Sequence, residues 1–91
     1  MENFEWNEDK RKVNLEKHGI DFVDAVEIFD DYHRIEADTF HKGERRYLTI
    51  GMIGEVTCFV VYTVRSLKKR IISARKANKL EREAYYEAQE S

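Results

Sequence analysis

Val60-Val61-Tyr62-Thr63-Val64-Arg65, followed by Arg70-Ile71-Ile72-Ser73-Ala74-Arg75, is the stretch that decides the fold. Both runs are rich in β-branched and apolar residues, and residues 65–69 between them turn the chain. That composition fits two neighbouring strands of a sheet. The longer segment 56–64 is apolar at odd and even positions alike, so it reads as a central strand covered at least partly on each face. In 70–75 a period of two sets Ile71, Ser73 and Arg75 on one face and Ile72 and Ala74 on the other. A serine and an arginine on a half-buried face lose hydration unless they meet partners. An open cleft facing an anion is one solution; pairing of Arg75 with a carboxylate such as Glu81 or Glu44 is the other.

Working outward, Tyr47 to Met52 alternates and forms the preceding strand, with Ile53-Gly54-Glu55 as the turn. Residues 38–44 read as an exposed loop, after a strand near 33–37. Phe4-Glu5-Trp6 is a short first strand. Asn7 caps a first helix, with Glu8 and Asp9 in its positive first turn, and Gly19 stops it after His18. Its apolar face is thin, Val13 and Leu15, so it lies on the surface near Trp6. Asp21 caps a second helix whose Phe22, Ala25, Val26 and Phe29 recur at helical spacing and point to the core. A closing helix from 76 to 88 buries Ala77, Leu80, Ala84 and Ala88. The order is β-α-α-β-β-β-β-α. The class is α+β, a mainly antiparallel sheet with two N-terminal helices and one C-terminal helix.

The chain has 91 residues, no proline and one cysteine, which implies one domain spanning 1–91 without a disulfide framework. Cys58 sits in the most apolar stretch and reads as a packed thiol. No segment resembles a signal peptide or approaches the length of a membrane span, so the expectation is a cytoplasmic protein with no membrane association. The net charge of −2 hides a segregation: residues 1–44 carry thirteen acids against six Lys/Arg, whereas 65–80 carry seven bases and no acid. A basic segment in an acidic chain steers anionic partners locally, or serves only as a solvated face.

Arginine is planar, permanently charged and well suited to phosphate. Arg65 leaves the central strand at its end, Arg46 opens the preceding strand, and Arg75 lies on the last one. Tyr62 lies across from Ser73 or Arg75, depending on register, or is a packed tyrosine with a satisfied hydroxyl. His18 is either a cation at a helix C-terminus or a proton carrier. His33 and His41 read as loop or strand-edge residues. No His/Cys spacing suits a metal, and no glycine-rich phosphate loop is present.

Collinear segments then resemble a known family. Phe4-Glu5-Trp6-Asn7, Lys17-His18-Gly19, Phe29-Asp30-Asp31, Gly43-Glu44-Arg45-Arg46-Tyr47, Val60-Val61-Tyr62-Thr63 and Arg70-Ile71-Ile72-Ser73-Ala74-Arg75 follow the order and spacing of the BrnT toxins. Glu81-Arg82 and Tyr85 continue the pattern. The resemblance implies a RelE-like fold and a ribonuclease toxin of a type II toxin–antitoxin system that inhibits translation and needs no cofactor. It also implies a BrnA-type antitoxin, a complex of two toxins and two antitoxins, and contact with operator DNA only through the antitoxin. The catalytic candidates are His18, Arg46, Tyr62, Arg65 and Arg75. The candidates for holding the RNA substrate are Lys17, Lys68, Lys69, Arg70, Ser73 and Lys76. Val64 and Ser66 depart from the family pattern, which often has an acid and a glycine there.

Cleavage without a metal requires a base for the ribose 2′-hydroxyl, cations for the phosphorane and an acid for the leaving oxygen. Arg65 and Arg75 are the expected charge stabilisers, Arg46 assists, and His18 or Tyr62 moves protons. Two alternatives remain: a non-catalytic nucleic-acid-binding module, and a pure protein-interaction partner. An antitoxin covering the basic cleft is expected to dock through an acidic or amphipathic segment.

Overall fold

The computed structural model describes residues 3–90. Five strands form one mixed sheet in the order β1-β5-β4-β3-β2: β1 Phe4–Glu5, β2 Ile35–His41, β3 Glu44–Ile53, β4 Val56–Arg65 and β5 Lys68–Lys76. The pairs β2–β3, β3–β4 and β4–β5 are antiparallel, while the two-residue β1 runs parallel to β5 through Phe4↔Lys69 and Glu5↔Arg70. The apolar run 56–64 lies in β4, which is interior to the sheet as expected. Two-residue turns close all three hairpins. Lys42 and Gly43 both have positive φ (51° and 79°), as do Ser66 and Leu67 (49° and 67°), and Gly54 has φ 59°. Positive φ at the turn centre matches the twist of the flanking strands.

Residues 38–44 are not a loop. β2 continues to His41 and only 42–43 turn, because the pairing is held by side chains the alternation rule ignores. Arg45 bonds Asp38 at 3.0 Å and lies 5.1 Å over the Phe40 ring.

Helix α1 (Glu8–His18) begins with Asn7 Oδ1 accepting the Lys10 N–H and ends on Gly19 at φ 73°. Its apolar residues stay out: Val13 is 62% exposed. The anchor is Asn14, 7% exposed, whose amide donates to the Ala74 and Ile20 carbonyls (2.8 and 3.0 Å) and accepts the Ala74 N–H at 3.2 Å. Asn14 thereby takes the place of a strand along the stretch of β5 that β1 is too short to cover.

The second helix is shorter than its periodicity suggested: α2 spans Phe22–Ala25 and passes into a 3₁₀ segment, Val26–Asp30. Three residues per turn align i, i+3 and i+6, so Phe22, Ala25 and Ile28 are fully buried while Val26 and Phe29 pack at the rim. They cover Cys58, Val60, Ile71 and Ala74 on one sheet face. Gly51 lets this layer approach closely, since a Cβ there would meet Ile28 Cγ1 and Arg34 Cβ at 2.9 Å.

The closing helix is later than expected. β5 runs to Lys76, Ala77 donates its N–H to the Thr57 carbonyl at 3.0 Å, and α3 spans Lys79–Glu90. Asn78 and Glu81 form a reciprocal capping box (2.8 and 2.9 Å). Ala77 is buried but precedes the helix; Leu80, Ala84 and Ala88 are exposed, and Tyr85 is the buried residue of α3. Its hydroxyl donates to Asp31 at 2.5 Å. Burial pushes Asp31 up, but hydrogen bonds from Tyr85, His33 and Met52 outweigh it and hold the carboxyl below its ordinary value.

Candidate active site

The register sorts the candidate residues by sheet face. A bulge where the β4–β5 register shifts between Val61 and Tyr62 places Val61 against Ser73 and Tyr62 against Ile71. Ile72 is the extra residue, so Ile71 joins the core face with Ala74, and Ser73 and Arg75 fall on the other. The even alternation expected for 70–75 is broken there. That second face carries Arg46 on β3, Phe59, Val61 and Arg65 on β4, and Ser73 and Arg75 on β5.

Arg65 and Arg75 share the face but do not converge. Arg75 sits opposite Phe59 and Arg65 opposite Lys68. Six residues of strand separate the two levels, roughly 20 Å at about 3.3 Å per residue. One phosphate cannot touch both. Arg75 grips Glu81 with two bonds, 2.8 and 2.9 Å, and lies 4.3 Å over the Phe59 ring. Its bond holds Glu81 below the ordinary carboxylate range, against the opposing effect of burial.

Arg65 meets Arg46 instead, around Glu44. Arg65 donates through Nη2 and Nε to Glu44 Oε2 at 2.7 and 3.1 Å. Arg46 Nε lies 3.6 Å from Glu44 Oε1, too far for a hydrogen bond, and is a buried nitrogen without a hydrogen-bond partner among the described residues. Lys10, His41 and Lys42 complete a polar recess of about 490 Å³ with these three side chains. The Arg65 hydrogen bond holds the Glu44 carboxyl below its usual range, so Glu44 is ionised at neutral pH. The recess thus holds five basic side chains and one carboxylate, and Arg65 and Arg46 are the two paired with it.

Sequence reading missed Lys10, His41, Lys42 and Glu44 as site members. His41 and Lys42 lay in the supposed loop; pairing of β2 with β3 brings them to the Arg46 end. The Lys42-Gly43 pair, a two-residue hairpin turn, was the available clue.

Lys17, His18 and Ser73 do come together, with Ile72, Val13 and Asn14, around a separate recess of about 350 Å³ between α1 and β5. His18 is therefore at a different place from Arg46 and Arg65. Tyr62 belongs to the core. It is 4% exposed, stacks on Tyr47, meets Phe29 edge-on and donates its hydroxyl to Glu36 at 2.6 Å. Burial first, then Glu36, pushes its ionisation far above the ordinary range. Lys69 sits 5.4 Å over Phe29 on that same core face, and Lys76, opposite Cys58, borders a small cavity there. Arg70 bonds Glu5 at 2.6 Å, and Lys68 is exposed beside the 66–67 turn. Among the described residues no three His, Cys, Asp or Glu side chains gather as a metal-ligand set, and no helix is long and apolar enough to cross a membrane.

The family model described as the ribonuclease toxin, BrnT, of type II toxin–antitoxin systems matches residues 6–81. The chain belongs to this family. No curated protein matches it. The BrnT match takes in the whole sheet from β2 to β5 and every member of the Glu44 recess. As a type II toxin it has an antitoxin for a partner and RNA for a target. The departure at Ser66 has a structural expression, because φ of 49° is a conformation that glycine adopts without steric cost. Val64 is half-exposed on the core side of β4, opposite Lys69 and away from Arg46 and Arg65.

Proposed function

We propose that this BrnT toxin is a RelE-like, metal-independent endoribonuclease that works at the Glu44 recess, acts on cytoplasmic RNA to inhibit translation, and is neutralised by a BrnA-type antitoxin. The observation that carries the reading is the pairing of Arg65 and Arg46 with one carboxylate, Glu44, in a recess that Lys10, His41 and Lys42 also line. Such a cluster is built for an anion, and Glu44 holds its place until a phosphate arrives.

On RNA binding, a phosphate takes the donors that Glu44 occupies. The ribose 2′-oxygen attacks the adjacent phosphorus, and His41 accepts the 2′-hydroxyl proton. Arg65 and Arg46 stabilise the charge that grows on the equatorial phosphorane oxygens. The bond to the 5′-oxygen then breaks, Lys10 protonates that oxygen, and the products are a 2′,3′-cyclic phosphate and a 5′-hydroxyl. Preorganised cations in such a position are worth on the order of 10²–10³ in rate each. His18, Lys17, Ser73 and Arg75 hold the strand on either side rather than acting at the reacting phosphate. Lys68, Lys69, Arg70 and Lys76 add long-range attraction.

The test is incubation of purified protein with RNA in EDTA. Wild type cuts, Arg65→Ala and Arg46→Ala lose about 10²–10³ in rate, and Arg75→Ala weakens binding more than turnover. If Arg65→Ala and Arg46→Ala both cut at the wild-type rate, the recess is not the catalytic centre.

A further inference from the structure

The second sheet face is apolar beyond the basic recess. Ile35 and Ala37 of β2, Leu48 and Ile50 of β3 and Phe59 of β4 line an open furrow of about 210 Å³. An antiparallel sheet facing water on one side normally alternates apolar-in and polar-out. Here Leu48 and Ile50 alternate with Thr49 and Gly51, which are the fully buried residues on the helix side. The solvent side thus holds the larger apolar side chains. RNA binding gives no reason for this, since a phosphate backbone is held by cations and polar groups. The furrow runs along β3 toward Arg46, two residues before Leu48 on the same face; its Nε is buried and has no hydrogen-bond acceptor among the described residues.

We propose that this furrow is the docking site of the antitoxin, and that its occupant is an amphipathic helix. An aliphatic ridge of that helix fills the Ile35–Ala37–Leu48–Ile50–Phe59 furrow, and a carboxylate at one end satisfies Arg46. α3 covers this side only at the Arg75 and Thr57 end, and a helix laid in the furrow extends that layer toward Arg46. Its charge and shape both match: apolar along the furrow, negative where the cations begin. Because the helix ends at Arg46, it closes the recess to RNA while leaving Glu44 and Arg65 paired. The site rests on the partner that the family implies and adds to the catalytic reading the means of its control.

The test is calorimetric titration of the toxin with its own purified antitoxin, beside RNA cleavage by the same toxin samples. Ala37→Glu puts a charge on an exposed position along the furrow's β2 side, and Leu48→Ala removes part of its floor. Affinity for the antitoxin falls on the order of 30-fold or more for Ala37→Glu, the scale of an interface hot spot. Its RNA cleavage stays at the wild-type rate and resists inhibition by antitoxin. Wild-type toxin also shows chemical-shift changes at the Ile35, Leu48 and Ile50 methyl groups on adding antitoxin, a readout independent of any variant's folding. Unchanged affinity with unmoved methyl signals overturns the proposal, as does loss of RNA cleavage in Ala37→Glu with antitoxin binding intact, which would give the furrow to RNA. Should wild type cut no RNA at all, the catalytic reading fails alone, because the titration still decides the docking site.

Discussion

Asn14→Ala tests how the site is held together, because Asn14 fastens α1, and with it Lys10, Lys17 and His18, to the edge of β5. The substitution deletes three hydrogen bonds of 2.8, 3.0 and 3.2 Å. Two of them satisfy both backbone groups of Ala74, which is 0% exposed. A net hydrogen bond is worth about 1 kcal/mol, and a buried backbone group left unsatisfied costs about 1–3 kcal/mol. Partial entry of water at the β5 edge moderates the sum, so the expected loss is about 2–4 kcal/mol. A domain of this size has a total stability of roughly 5–14 kcal/mol, and each kcal/mol moves the melting temperature by about 4–8 °C. Urea and thermal unfolding followed by circular dichroism measure the loss, with Val13→Ala as the control on the same helix. Val13 is 62% exposed, and its truncation changes stability by less than about 0.5 kcal/mol. An Asn14→Ala protein as stable as the control would refute the claim that this amide replaces a missing strand.

Gly51→Ala brings a methyl group within 2.9 Å of Ile28 Cγ1 and Arg34 Cβ. It should cost about 1–3 kcal/mol in urea unfolding, and an unchanged midpoint would mean that the helical layer yields freely. Leu67→Gly removes a side chain that is 95% exposed from a residue at φ 67°. It should raise stability by about 0.5–1 kcal/mol; a lower denaturation midpoint would show that Leu67 makes a stabilising contact. Folded-state values for Glu44, Glu81, Asp21 and Asp31 are all depressed, chiefly by Arg65, by Arg75, by Arg11 and, for Asp31, by hydrogen bonds that overcome its burial. The stability they contribute is therefore fully present above the unfolded values of about 4 and is lost as pH falls through the lower folded values. Chemical denaturation at pH 7, 5, 4 and 3 should show a plateau and then a decline; a decline already between pH 7 and 5 would assign acid sensitivity to other groups.

Much of the fold could be read along the chain because it is written in local patterns. The β-branched runs, the Asn7 and Asp21 caps and the Gly19 stop each act over a few residues, and each is where the sequence led one to look. The errors share a cause. Phe22, Ala25 and Val26 fit an α-helix, but packing on the sheet tightened the second half to 3₁₀ and chose Ile28 for the core. Residues 38–41 have no apolar alternation, yet they pair in full because β3 offers a free edge and Arg45 reaches Asp38 and Phe40. Leu80 and Ala84 lie on a helical stripe, but the capping box at Asn78 rotates Tyr85 inward in their place.

By itself the sequence determined the strand content of residues 47–75, the basic character of their neighbourhood and membership of the BrnT toxin family. Only the tertiary structure decided which arginines act together. One bulged residue at Ile72 and a six-position offset along β4 separate Arg75 from Arg65, while a two-residue turn at Lys42-Gly43 carries His41 to Arg46. Residue type specifies what a side chain can bind. Register specifies what it can reach; turns set it at each hairpin, but which residue is looped out as the bulge is decided only when β4 and β5 pair across the sheet.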